Sequence, residues 1–83
     1  MPWTVYILHC ADDTLYTGIT NDLERRLAAH TAGAGARYTR GRGPFRLVYR
    51  EKWPDRGAAS RREYRIKAMS RARKWRLIEE GGK

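Results

Sequence analysis

Val5-Tyr6-Ile7-Leu8-His9-Cys10-Ala11-Asp12-Asp13-Thr14-Leu15-Tyr16-Thr17-Gly18-Ile19 is the stretch from which the fold can be read. Trp3 to Cys10 is rich in β-formers and reads as a strand. Ala11-Asp12-Asp13 is turn material, and Leu15 to Ile19 reads as a second strand, so the two form an antiparallel hairpin. Each strand carries a tyrosine, Tyr6 and Tyr16. Side chains alternate across a strand, so the length of the turn decides whether these tyrosines meet. A two-residue turn, Asp12-Asp13, sets Tyr6 opposite Ile19 and facing away from Tyr16. A three-residue turn, Ala11-Asp12-Asp13, sets Tyr6 opposite Gly18 and Leu8 opposite Tyr16, with both tyrosines on one face. Gly18 then leaves open space above the Tyr6 ring for a ligand or backbone. A joint site therefore requires an odd-length turn or a bulge; without one, the tyrosines are two β-formers that happen to pack.

Working outward, Asn21 offers an N-cap with Glu24 three residues on, a capping box, and predicts a helix from about Asp22 to Thr31. Residues 32–43, with Gly33, Gly35, Gly41 and Gly43, form a basic loop. Phe45 to Trp53 reads as a third strand, broken by Pro54-Asp55-Arg56-Gly57. A second helix is expected from about Ala58 to Met69 and a short third from Ala72 to Glu79, with the tail from 80 to 83 frayed. The order ββαβαα predicts an α+β fold, a small sheet with helices against it, as one domain over residues 1–83.

The composition bounds the function. At 83 residues the chain has room for one core, and a site on it is expected to be a shallow groove rather than a deep pocket. No apolar run approaches the roughly 20 residues of a membrane span, the start Met1-Pro2-Trp3-Thr4 lacks the pattern of a signal peptide, and Cys10 is the only cysteine, which excludes a disulfide framework. These features favour the cytoplasm and no membrane partner. The net charge is +9, unevenly spread: residues 37–76 hold fifteen Lys/Arg against the three acids Glu51, Asp55 and Glu63. One basic half on a near-neutral start is the footprint of a polyanion partner, and arginine, which outnumbers lysine, grips phosphate with a planar fork.

On the first helix, Leu23 and Leu27 define the buried stripe. At about 100° per residue, Arg26 lies roughly 60° from Leu23, His30 roughly 20°, and Arg25 roughly 200°, on the solvent side. Arg26 and His30 are also i,i+4 neighbours, so of the adjacent arginines only Arg26 reaches a site at the helix–sheet boundary. On the second helix Ala59, Glu63, Ile66 and Ser70 share a face. A carboxylate in that stripe needs a partner or a metal, unless it makes a plain i,i+4 pair with Lys67. Arg37, Tyr38, Arg40 and Arg42 in the loop suit a phosphate clamp with one stacking ring.

With these residues assembled, the chain resembles the GIY-YIG nuclease domains, in particular their short, standalone YhbQ-like branch. Val5-Tyr6-Ile7 stands where the family has GIY and Tyr16-Thr17-Gly18 where it has YIG. Tyr16 through Leu27 with His30 matches the hairpin-to-helix passage; Gly35 through Arg40 and Glu63-Tyr64-Arg65-Ile66-Lys67 resemble this branch. The resemblance covers about residues 3–76. It implies a three-stranded antiparallel sheet flanked by helices and divalent-metal-dependent phosphodiester hydrolysis. By position, Tyr6 and Tyr16 match the motif tyrosines, Arg26 the catalytic arginine, His30 the following histidine and Glu63 the metal-binding glutamate. Val5 and Thr17 depart mildly from the tripeptides. Many family nucleases also carry an Asn about a helix beyond the glutamate, where this chain has Met69 to Trp75; its sole asparagine is Asn21.

A lone carboxylate implies one Mg²⁺ or Mn²⁺ held mostly by water and phosphate. Arg26 is expected to fork onto the scissile phosphate. Tyr6, its pKa lowered by Arg26 and the metal and its proton taken by His30, is expected to activate water, with Tyr16 binding phosphate or water; the reverse assignment of the tyrosines stays open. The expected substrate is nucleic acid, DNA ahead of RNA, read by structure rather than sequence, by a monomer or with a protein partner for targeting. The alternative is a binding module with this fold and little catalysis.

Overall fold

The computed structural model describes residues 2–32 and 43–81. Three strands, β1 (Trp3–Cys10), β2 (Leu15–Thr20) and β3 (Phe45–Trp53), form an antiparallel sheet in the order β2-β1-β3. Three helices flank it, α1 (Leu23–Thr31), α2 (Arg56–Lys67) and α3 (Arg71–Gly81). The α+β class and the ββαβαα order are those expected from the sequence.

The hairpin turn has three residues. Cys10 N–H donates to the Thr14 carbonyl and Asp13 N–H to the Cys10 carbonyl, both at 2.9 Å. Asp13 closes the turn at φ 69, a left-handed conformation that aspartate tolerates better than most residues. The Asp12 carboxylate accepts from Thr14 Oγ1 at 2.6 Å and stiffens the same corner. The register that follows pairs Tyr6 with Gly18 and Leu8 with Tyr16, so the two tyrosines lie on one face.

β1 is the central strand, and Val5, Tyr6, Ile7 and Leu8 are all fully buried. That run of four has no polar alternation because both faces of the sheet are covered. Val5 and Ile7 join Tyr49, Ala59 and Ile66 in the core beneath α2, each aliphatic side chain stabilising the fold by about 1.5–3 kcal/mol. Tyr6 and Leu8 point the other way, toward α1. A β-bulge between Ile7 and Leu8 sets Ile7 opposite Tyr49 but Leu8 opposite Leu47, which leaves Val48 as the extra residue.

Helix starts differ from expectation at each N-terminus, for one reason. The residue whose side chain reaches the third N–H of the helix becomes the cap. Asp22, not Asn21, caps α1, its carboxylate accepting from Arg25 N–H at 3.2 Å. Asp55 caps α2 through Ala58 N–H at 2.8 Å, so Arg56 and Gly57 open the helix instead of belonging to the break. Ser70 Oγ accepts from Arg73 N–H at 3.1 Å, and α3 runs on to Gly81. Helix α3 therefore takes in two residues of the expected frayed tail, Glu80 and Gly81; a Cβ at Gly81 would lie 2.6 Å from Tyr49 Cε1, so this helix end packs directly on the core.

Glu51 ties β3 to α2. Its Oε1 accepts from Arg62 Nε at 2.6 Å and Trp53 Nε1 at 2.8 Å, and its Oε2 from the Tyr49 hydroxyl. Burial raises the Glu51 pKa, but the hydrogen bonds of Tyr49, Arg62 and Trp53 outweigh it and hold the group below its ordinary value of 4.5. Because the folded value is depressed, the stabilisation is present above the unfolded value and is lost as pH falls through the folded one. Glu51→Ala is expected to cost about 2–4 kcal/mol in urea unfolding at pH 7. The deficit should shrink once the pH drops below 4.5; a deficit independent of pH would contradict a charge-based tie.

Candidate active site

The face of the sheet that looks toward α1 carries a cluster of four side chains. Tyr6 Oη lies 2.8 Å from His30 Nε2. The Tyr16 ring stands 5.3 Å from the His30 ring and 6.2 Å from the Tyr6 ring, centre to centre. The Arg26 guanidinium lies near both phenols, and their proximity raises its pKa. The hairpin register supplies the tyrosines on one face, and the i,i+4 spacing on α1 supplies Arg26 and His30 on one edge. Phe45 closes the far side, its ring 6.0 Å from His30. Nothing local marks Phe45 for this role: it reaches the cluster because β3 pairs it with Cys10, a contact between distant parts of the chain.

Two expectations about this cluster are overturned. The space above the Gly18 backbone is not open. A Cβ there would lie 2.7 Å from Tyr6 Oη and 3.0 Å from Tyr16 Cε2, so the phenol tips themselves occupy the room that the glycine leaves. Nor is the Tyr6 pKa lowered. Burial pushes it up to about 12, and the Arg26 hydrogen bond pulls in the opposite direction without overcoming that effect. Burial, and then the charge of Arg26, lower the pKa of His30 from 6.5. At neutral pH the pair is thus an un-ionised phenol beside a neutral imidazole. A neutral imidazole accepts at Nε2 when its ring proton is on Nδ1, and the Tyr6 hydroxyl then donates across the 2.8 Å contact.

A shallow groove of about 430 Å³ opens beside Arg26, lined by Thr20, Asn21, Asp22, Arg25 and Ala29. Arg25 is exposed, as its helical angle predicts, yet it forms part of the groove wall. Tyr16 is half-buried, whereas Tyr6 and His30 are enclosed.

Glu63 is not brought into this contact set. It stands half-buried on α2, and its carboxylate pairs with Lys67 Nζ at 3.3 Å. α2 packs on the Val5–Ile7 face, opposite Tyr6. No hydrogen bond or ion pair joins Glu63 to the four clustered residues among the described residues. Arg37, Tyr38, Arg40 and Arg42 lie outside the described residues. No described helix is long and apolar enough to cross a membrane.

The model of the GIY-YIG catalytic domain matches residues 2–76, a range that contains the paired tyrosines, Arg26, His30 and Glu63. The chain belongs to the GIY-YIG family. Within this nuclease family it is similar to a UPF0213 protein of Natronomonas pharaonis, 55% identical over 76 residues that cover 92% of this chain and 89% of the relative. It is equally similar to a UPF0213 protein of Oceanobacillus iheyensis, 55% identical over 75 residues (90% and 87%). The solution NMR structure of a UPF0213 protein from Bacillus halodurans superposes with a TM-score of 0.65 at 49% identity, covering 99% of this chain and 87% of that one. An Enterococcus protein, from E. faecalis, has a TM-score of 0.64 at 32% identity over 93% and 83%. This GIY-YIG fold is therefore shared with small relatives that preserve the same layout of sheet and helices.

The packing at Gly18 makes a sharp prediction. Gly18→Ala should displace both phenol tips, destabilise the protein by about 1–3 kcal/mol and break the Tyr6–His30 hydrogen bond, seen as loss of the protected Tyr6 hydroxyl proton in NMR. Tyr6 also predicts alkaline behaviour. With a folded pKa raised from 10.0 to about 12, its contribution is intact below 10.0 and is lost as pH rises through the folded value. Stability measured in that window should fall more steeply for the wild type than for Tyr6→Phe.

Proposed function

We propose that this GIY-YIG domain is a divalent-metal-dependent endonuclease that hydrolyses nucleic-acid phosphodiester bonds, DNA ahead of RNA, guided by the shape of the substrate rather than its sequence. The observation that carries this reading is the gathering of two phenols and a neutral histidine next to Arg26, which lines an open groove. A guanidinium fork in that position is suited to bind a phosphate and to offset the charge that develops on it.

Burial favours the reverse of the expected roles for the tyrosines. Tyr16, half-buried, is the phenol that substrate or water reaches; Tyr6, enclosed between Arg26 and His30, stands behind it. Neutral His30 is the group able to accept a proton, and the Tyr6 hydroxyl, un-ionised at neutral pH, is able to pass one on to it. In this scheme neither tyrosine has to exist as a free phenolate.

The residues present suit a magnesium-like ion rather than a closed protein site. Glu63 offers one hard oxygen ligand set, its pairing with the half-exposed Lys67 is readily exchanged, and no group of three or more His, Cys, Asp or Glu side chains that could hold an ion occurs among the described residues. Mg²⁺ commonly keeps several waters and binds through one or two carboxylates together with substrate phosphate, so Glu63 is the residue that would hold it. When bound, the ion would neutralise charge on the leaving oxygen. The basic stretch of residues 37–76 would draw in the polyanion but confer little base preference. Glu63's existing pair with Lys67 favours the second reading, a nucleic-acid-binding module with little catalysis.

A panel of single-stranded, duplex and branched DNA and RNA substrates in Mg²⁺ and Mn²⁺ separates the two. Arg26→Ala should reduce cleavage by about 10²–10³-fold, and Glu63→Ala should abolish metal-dependent cleavage with nucleic-acid affinity little changed. Equal cleavage by wild type and Glu63→Ala would remove Glu63 from the mechanism. Salt-sensitive binding with no cleavage of any substrate would establish the binding module instead.

A further inference from the structure

The sheet face opposite the tyrosines holds a second groove, lined by arginines. This groove of about 220 Å³ is lined by Trp53, Ala58, Arg61, Arg62 and Arg65. Arg62 is spent on Glu51, but no acid pairs with Arg61 or Arg65 among the described residues. Both are exposed, and as i,i+4 neighbours on α2 they repel each other. Two guanidinium groups one helical turn apart form a site that gains from an anion lying between or across them.

Trp53 gives the groove its other half. The indole Nε1–H is held by Glu51 at 2.8 Å, which satisfies the polar edge and fixes the ring, while its apolar body lines the groove. Trp3, the cross-strand partner of Trp53, already has the Arg56 guanidinium over its ring at 5.5 Å. Trp53 is therefore the indole of this pair that lines an open cationic groove. A fixed aromatic wall between cationic forks matches a single-stranded nucleic acid, whose unpaired bases stack on aromatic rings and whose backbone follows positive charge. The narrow volume admits one base, and a paired base inside a duplex has no free face to offer.

We propose that this groove is a second nucleic-acid contact, taking one unpaired base against Trp53 and the flanking backbone phosphates on Arg61 and Arg65. It uses none of the clustered Tyr6, Tyr16, Arg26 and His30 side chains and stands whether or not the protein cleaves its ligand. The groove would hold an unpaired strand on the face of the sheet away from the tyrosine cluster, and so favour substrates that combine paired and unpaired segments.

The test is an NMR titration of the whole protein with an oligothymidine strand, following the Trp53 indole N–H resonance with that of Trp75 as internal reference. The expected result is a saturating shift of Trp53. The Arg61→Ala/Arg65→Ala double variant, altered only at exposed positions, should bind about tenfold more weakly, in the range of one lost stacking or phosphate contact, and its salt slope should fall by about 1.4, the value for two phosphates of a single strand. An unmoved Trp53 indole, or a double variant with wild-type affinity and salt slope, would overturn the proposal. An equal Trp53 shift with inorganic tripolyphosphate, which has no base, would overturn the stacking claim. Because the readout is binding, absence of cleavage leaves the result interpretable.

Discussion

The left-handed residue at the end of the hairpin turn is the constraint on which the site depends. With Asp13 at φ 69 the turn spans three residues, the register pairs Tyr6 with Gly18, and both tyrosines face α1. One residue fewer would invert one strand relative to the other and send the two phenols to opposite faces. The corner is secured by side chains as well as backbone: Asp12 holds Thr14 at 2.6 Å, and Asp13 accepts from His9 at 2.7 Å and from Arg71 on α3 at 3.0 Å. The last contact links the turn to the opposite layer of the fold, so the register of the site strands is braced by the C-terminal helix.

The sheet separates two kinds of interior. Beneath it, Val5, Ile7, Tyr49, Ala59 and Ile66 form an apolar core, and Glu51 joins β3 to α2 through three donors. Above it, beside Leu8, a buried phenol and a buried imidazole share a hydrogen bond next to Arg26 and Gly18. Enclosure keeps Tyr6 protonated and His30 neutral. An un-ionised phenol and imidazole beside a permanent cation are thus a consequence of packing, which leaves Tyr16 the less buried of the two phenols. Thr17, one residue further along β2 and turned to the core face, has a buried hydroxyl without a partner among the described residues, for which the structure offers no physical account.

Much of this arrangement was legible in the sequence because it follows from periodicity. Alternation along the strands and 100° steps along α1 were enough to place Tyr6, Tyr16, Arg26 and His30 together, conditional on turn length. What local pattern does not encode is enclosure and long-range pairing. The use of the Gly18 space by the phenols, the upward pKa of Tyr6 and the approach of Phe45 to His30 all depend on how β1, β3 and α1 close over one another. Glu51 was missed for the same reason: its donors Tyr49, Trp53 and Arg62 are assembled by the sheet and by α2, and in sequence it is one acid in a basic strand. The helix starts were displaced by one or two residues because Asn21 and Asp22, or the residues 54–57, offer adjacent caps whose choice depends on side-chain reach.

The most direct test of the clustered site is the protonation of His30, read from the imidazole nitrogen resonances of the intact protein as pH is varied. The account predicts a neutral ring at pH 7 with Nδ1 protonated, Nε2 accepting a hydrogen bond that disappears in Tyr6→Phe, and a titration midpoint below the ordinary 6.5. A midpoint at or above that value, or a proton resident on Nε2, would contradict the arrangement of Tyr6, Arg26 and His30 described for this GIY-YIG domain.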